Sequence, residues 1–98
     1  MDGESYVAEV DKVVPDGKHG PYAVAYCEQL GQLISFSLER ASWEEKRWPS
    51  GGSIVVLTDL EKKRLGWRAN KGRFFRPSDE RLAAQQQKQH QKKRRIQK

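Results

Sequence analysis

The chain has 98 residues, 36% of them apolar, and a mean hydropathy of −0.92, which suits one domain with a small core and some sequence left outside it. No apolar run approaches the roughly 20 residues that cross a bilayer. The start, MDGESYVAEV, is too polar and acidic for a secretory signal, and the single cysteine, Cys27, excludes an internal disulfide or a Cys-based zinc cluster. Cytoplasmic residence is the expected default. The net charge of +6 conceals a division: residues 1–61 hold five Lys or Arg against eleven Asp or Glu, and residues 62–98 hold fourteen against two. Such asymmetry suggests a basic arm for nucleic acid or another acidic surface.

In chain order, SYVAEVDKVV (5–14) alternates, with Tyr6, Ala8 and Val10 on one face and Val7, Glu9 and Asp11 on the other, and predicts a half-buried strand. PDGKHGP (15–21) is a turn cluster. YAVAYCEQL (22–30) predicts a second strand, with Tyr22, Val24 and Tyr26 opposite Ala23, Ala25 and Cys27. After Gly31, QLISFSL (32–38) predicts a third. ASWEEKRWPSGG (41–52) fits a short helix near 42–48: Ser42 and Glu45 have capping-box spacing, Lys46 and Arg47 suit the C-terminal end, and Pro49 with two glycines stops it. Trp43 and Trp48 are expected to lean on the rest of the domain. SIVVLTDL (53–60), the most apolar run, predicts a central strand, EKKR a turn, and LGWRA (65–69) a fifth strand that GRFFRP extends. From Ser78 a helical pattern begins, capped at Ser78 or Asp79. It then passes into a Gln- and Lys-rich run without an apolar stripe, expected to be partly helical or disordered.

Three strands in a meander, a short helix and two more strands predict an all-β domain: a five-stranded antiparallel OB-type barrel over residues 1–76, with a basic extension at 77–98. An SH3-like barrel is the alternative. The sequence between about residues 6 and 70 resembles the S-one-type OB domains, the RNA-binding barrels named after the largest small-subunit ribosomal protein. The matching stretches are HGPYAV (His19 to Val24), GQLISFS from Gly31, and GGSIVVLTDLEKKR, with Asp59 followed by Lys62, Lys63 and Arg64. The chain departs from that pattern in having His19 where an aromatic ring is usual, no His in the third strand, and GWRA for the usual Leu-Ser ending.

The resemblance implies that nucleic acid lies across the second and third strands and their flanking loops, which carries over to His19, Tyr22, Asp59 and Lys63 or Arg64. The residues themselves lead to overlapping positions. With small Ala23, Ala25 and Cys27 inside a narrow barrel, Tyr22 faces out as a base-stacking platform. Tyr26 is compatible either with the same role or with packing under the Trp43 helix. RLGWRANKGRFFRP (64–77) combines five cations with three aromatics and no acid. Leu65 and Trp67 inward would set Arg64, Arg68 and Asn70 outward. Of the adjacent Phe74 and Phe75, one is expected on the barrel. The candidate nucleic-acid contacts are therefore His19, Tyr22, Tyr26, Asp59, Lys62, Lys63, Arg64, Arg68, Lys71, Arg73, Phe74 and Arg76, with Lys92, Lys93, Arg94 and Arg95 on the extension. No catalytic group, metal or cofactor is expected. His19 and Cys27 lack an orienting partner, Glu44 and Glu45 belong to a helix start, and no Gly-rich phosphate loop precedes a helix. The function expected is that of a monomeric, non-enzymatic RNA-binding protein, for example within a ribosome or another ribonucleoprotein. The alternative is a protein-interaction adaptor. A membrane role is disfavoured because Ile96 is the one large apolar residue among the last sixteen.

Overall fold

The structure, a computed structural model, describes residues 5–64 and 66–80. Five strands, β1 (Ser5–Val14), β2 (Tyr22–Cys27), β3 (Gln32–Ser37), β4 (Ile54–Lys63) and β5 (Gly66–Phe74), are followed by a 3-10 turn at Pro77–Asp79. The strands close into a barrel in the order β1–β2–β3–β5–β4, with β4 pairing back to β1. This order is compatible with an OB-like barrel. The helical extension expected after Ser78, with Lys92, Lys93, Arg94 and Arg95, lies outside the described residues apart from the 3-10 turn.

The expected all-antiparallel pairing is corrected at one seam. β3 and β5 run parallel, with Ile34 beside Trp67, Ser35 beside Arg68 and Phe36 beside Ala69. The reason is parity: a closed ring with an odd number of strands cannot alternate direction throughout, so at least one neighbouring pair must be parallel. The four remaining pairs are antiparallel. Strand lengths also shift. β2 ends at Cys27, and β4 continues through the stretch expected as a turn to Lys63.

Alternation fills the interior. Ala8 and Val10 from β1, Ala23, Ala25 and Cys27 from β2, Ile34 and Phe36 from β3, Val55 and Leu57 from β4 and Ala69 from β5 form one buried cluster. Full burial of a side chain such as Phe36 or Leu57 contributes about 1.5–3 kcal/mol. Burial also pushes the Cys27 thiol above its usual range, which suits an unreactive core residue.

Two irregularities set which side chains face out. In β1 the register to β2 slips between Val10 and Lys12, so Asp11 is a bulge. Val10 and Val13 both reach the core, and Lys12 is turned outward beside Val24. In the β4–β5 ribbon the inward phase changes at one level on both strands. Val55 and Leu57 face in below Asp59, and Leu60 above it; Trp67 and Ala69 face in before Asn70, and Gly72 and Phe74 after it. Asp59 takes φ 58°, and the Asn70 amide donates to its carbonyl at 3.1 Å. One left-handed residue thus lets both strands turn over together without a change in pairing.

No α-helix forms between β3 and β4. Residues 38–53 instead clasp the end of β5. The Gly72 N–H donates to the Ser42 carbonyl at 3.0 Å, and the Glu44 N–H donates to the Gly72 carbonyl at 2.9 Å. Trp43 is 3% exposed, stacked edge-on to Phe74 with centroids 5.1 Å apart, and its indole N–H donates to the Arg47 carbonyl at 2.8 Å. Glu45 makes no capping box; its carboxylate accepts from the Phe74 N–H at 3.2 Å and from Arg76 at 2.7 Å. These tertiary partners take the groups a helix would have used, which is why the local helix signal fails. Trp48, expected on the barrel, is 44% exposed.

A Cβ at Gly72 would lie 3.0 Å from Leu57 and 3.2 Å from the Trp43 ring. Gly72→Ala is therefore expected to lower stability by about 1–3 kcal/mol in urea unfolding. At Asp59, Ala and Gly both remove the carboxylate, but only Ala keeps a Cβ in the left-handed region. Asp59→Ala is expected to be less stable than Asp59→Gly by about 1–2 kcal/mol in the same measurement.

Candidate nucleic-acid interface

The outer wall of β2 and β3 carries the predicted platform. The inward Ala23, Ala25 and Cys27 leave Tyr22, Val24 and Tyr26 facing out, and Tyr26 is 45% exposed. Packing of Tyr26 under a Trp43 helix does not occur. Across the pairing, Tyr22 stands beside Ser37, Val24 beside Ser35, and Tyr26 beside Leu33. The Tyr22 ring is half-buried against the 15–21 connection; a Cβ on Gly17 would lie 2.8 Å from it. At about 3.3 Å per residue, Tyr22 and Tyr26 are roughly 13 Å apart along β2.

The parallel seam extends this surface to β5. Ser35 stands beside Arg68, and its hydroxyl reaches the Trp67 carbonyl at 3.4 Å. Arg68 lies opposite Glu61 on β4. One outward row therefore runs Lys12, Val24, Ser35, Arg68, Glu61. The two hairpin tips flank it at opposite ends of β2. The 15–21 connection, with exposed Lys18 and His19, adjoins Tyr22. The β4–β5 tip, with exposed Lys63 and Arg64, lies level with the start of β3, near Tyr26 and Leu33.

The predicted cations divide into two groups. Arg64, Arg68 and Lys71 are exposed and have no ion pair among the described residues. The other predicted cations among the described residues are held. Lys63 pairs with Glu61 at 2.7 Å; that contact, with the Asn70 amide 3.0 Å away, holds the Glu61 carboxyl below its usual range. The Lys62 ammonium lies 5.4 Å from the centroid of Trp67. Arg76 is bound to Glu45. Arg73 grips Asp79 through two hydrogen bonds, 2.7 and 2.9 Å long, and anchors the 3-10 turn. Phe74 is enclosed between Trp43 and the Arg47 guanidinium, which lies 4.5 Å above it. Asp59 is exposed, but its part in the structure is the turnover of the β4–β5 ribbon. Structural bonds thus engage Arg73, Phe74, Arg76 and Asp59, while His19, Tyr22, Tyr26, Arg64 and Arg68 surround the β2–β3 wall.

Lys12 and Lys18 belong to this surface and were missed by sequence reasoning. The signal for Lys12 was its charge at an apparently inward position of an alternating strand, which a bulge resolves. Among the described residues no group of three or more His, Cys, Asp or Glu side chains comes together as a metal site. No protein-family model matches the chain, and no curated protein or solved structure matches it.

The hydrogen bonds from Arg73 are the main cause that holds the Asp79 carboxyl at about 2, below its ordinary 3.8. A depressed carboxylate stabilises the fold fully above its unfolded value and loses that contribution as pH falls from about 4 through about 2. Asp79→Asn is expected to lower stability at neutral pH by about 2 kcal/mol, the scale of charge-assisted hydrogen bonds, and to flatten that part of the acid-unfolding profile. Urea midpoints at pH 7, 4 and 2.5 measure both effects.

Proposed function

We propose that this protein binds single-stranded or structured RNA without catalysing a reaction on it, as a component of a ribonucleoprotein such as the ribosome. The observation that carries this is the outer β2–β3 wall: two outward tyrosines on one strand, Arg68 beside them across the seam, and basic hairpin tips at both ends. OB-type barrels bind oligonucleotides on the corresponding wall and loops. Tyrosine faces stack on bases irrespective of sequence, and arginine contacts phosphates bidentately or stacks on bases. Along β2 the spacing of the two tyrosines suits bases splayed from an extended strand better than the closely stacked bases of a duplex. The outward Ser35 and Ser37 hydroxyls supply polar contacts between the platforms. The basic sequence beyond residue 80 adds phosphate contacts that carry no sequence information.

Anisotropy of a labelled oligouridylate tests this. Tyr22→Ala is expected to weaken binding by about 1–3 kcal/mol while circular dichroism stays unchanged. Arg68→Ala is expected to reduce the slope of log affinity against log salt by about one single-strand contact, roughly 0.7. Replacing Lys92, Lys93, Arg94 and Arg95 by Gln in the full chain is expected to reduce that slope by up to about 3, equally for different sequences. Affinity indifferent to all three changes would overturn the reading.

A further inference from the structure

The most exposed large apolar side chains among the described residues are Leu33 (51%), Tyr26 (45%), Trp48 (44%) and Ile54 (42%). Three of them stand in one row across the barrel. Ile54 pairs with Glu9 between β4 and β1, Glu9 pairs with Tyr26 between β1 and β2, and Tyr26 pairs with Leu33 between β2 and β3. At about 4.8 Å per strand step the row is roughly 15 Å long. Exposed apolar residues scattered singly need no explanation, but an aligned set on an outer wall marks an interaction surface. The Glu9 carboxylate interrupts the row. It is exposed, and among the described residues it has no ion pair. Asp11, two positions further along β1, is exposed as well.

Glu9 and Ile54 lie on β1 and β4, off the β2–β3 wall, and an exposed carboxylate there repels a phosphate backbone, so this line leaves the RNA surface after the two residues they share, Tyr26 and Leu33. We propose that the row docks a cationic amphipathic helix of a partner protein. A helix rises about 1.5 Å per residue, so its side chains at i, i+3, i+7 and i+10 reach Leu33, Tyr26, Glu9 and Ile54 in turn. Leucine-like residues fit the first, second and fourth positions, and Lys or Arg fits the third. Apolar contact supplies the attraction, and the pair with Glu9 fixes direction and register.

The test uses a labelled helical peptide with Leu at i, i+3 and i+10 and Lys at i+7, beside a second peptide with Glu at i+7. The wild-type protein is expected to bind the Lys peptide at least about tenfold more tightly than the Glu peptide, and Glu9→Lys is expected to reverse that preference. Leu33→Ser and Ile54→Ser are each expected to weaken the Lys peptide about tenfold, and Ile54→Ser, which lies off the β2–β3 wall, is expected to leave oligouridylate binding unchanged. Equal binding of the two peptides, or a preference that Glu9→Lys does not reverse, overturns the proposal. So does loss of oligouridylate binding in Ile54→Ser, which would assign the row to nucleic acid. Concentration-dependent self-association abolished by Leu33→Ser and Ile54→Ser would assign it to a second copy of the chain, with the same consequence. Oligouridylate that fails to bind the wild-type protein would reject the RNA reading alone.

Discussion

Interior volume is the constraint on which the rest of this molecule depends. A five-stranded ring is narrow, and β2 meets it with Ala23, Ala25 and Cys27, each fully buried, while β1 and β5 add Ala8 and Ala69. The space left is filled by Ile34, Phe36, Leu57 and Trp43. Interiors are packed to crystal-like density, so an aromatic ring on β2 has no place inside. Tyr22 and Tyr26 are outward for that reason before any ligand is considered. The platform of the proposed RNA site is thus a by-product of how the core is divided between small and large residues.

The same economy governs the charges. Fourteen Lys or Arg in residues 62–98 suggest a broadly basic surface, yet several of them close the structure. Among them, Arg73 and Arg76 tie the end of β5 to Asp79 and Glu45 and Lys62 lies over Trp67, and outside that span Arg47 covers Phe74. Each of these cations is matched to an acid or a ring on a neighbouring segment. What remains exposed and unpaired near the tyrosines is a short set, Arg64 and Arg68 with Lys12 and Lys18 from the other side. Net charge overstates the number of cations left unpaired at the surface, and the ion-pair map shows which of the described ones those are.

Much of the barrel was legible in the sequence because its signals are local. The alternation in β1 and β2 set both the strands and their faces, β3 was legible as a strand, and the Trp67/Arg68 alternation in β5 held. What failed depended on partners distant in sequence. The Ser42–Glu45 capping spacing is sound as a local pattern, but Gly72, Phe74 and Arg76 claim those groups. Trp48 carries the same apolar weight as Trp43, and only the clasp decides that one is buried and the other is not. The turnover at Asp59 left one faint trace, a pair of polar residues on adjacent strands. For the candidate interface, the tyrosines were visible from periodicity, whereas the division of the cations required knowing which acids face them.

The position of β5 has a consequence for how the chain reaches its native state. β5 is the last strand in sequence, and it is inserted between β3 and β4, so until it arrives both keep an unpaired edge. Such edges are templates for pairing with another copy. β1 through β4 can assemble beforehand, since β1 already bonds β2 and β4. An assembly of β1 through β4 alone is an open, curled four-stranded sheet, and the strand that fills its gap carries three cations and no acid. Through residue 63, the end of β4, the sequence carries four more acids than bases, so two such open sheets repel each other. The acidic first part of the chain thereby guards the gap, and the basic strand that fills it is drawn towards it by the opposite charge.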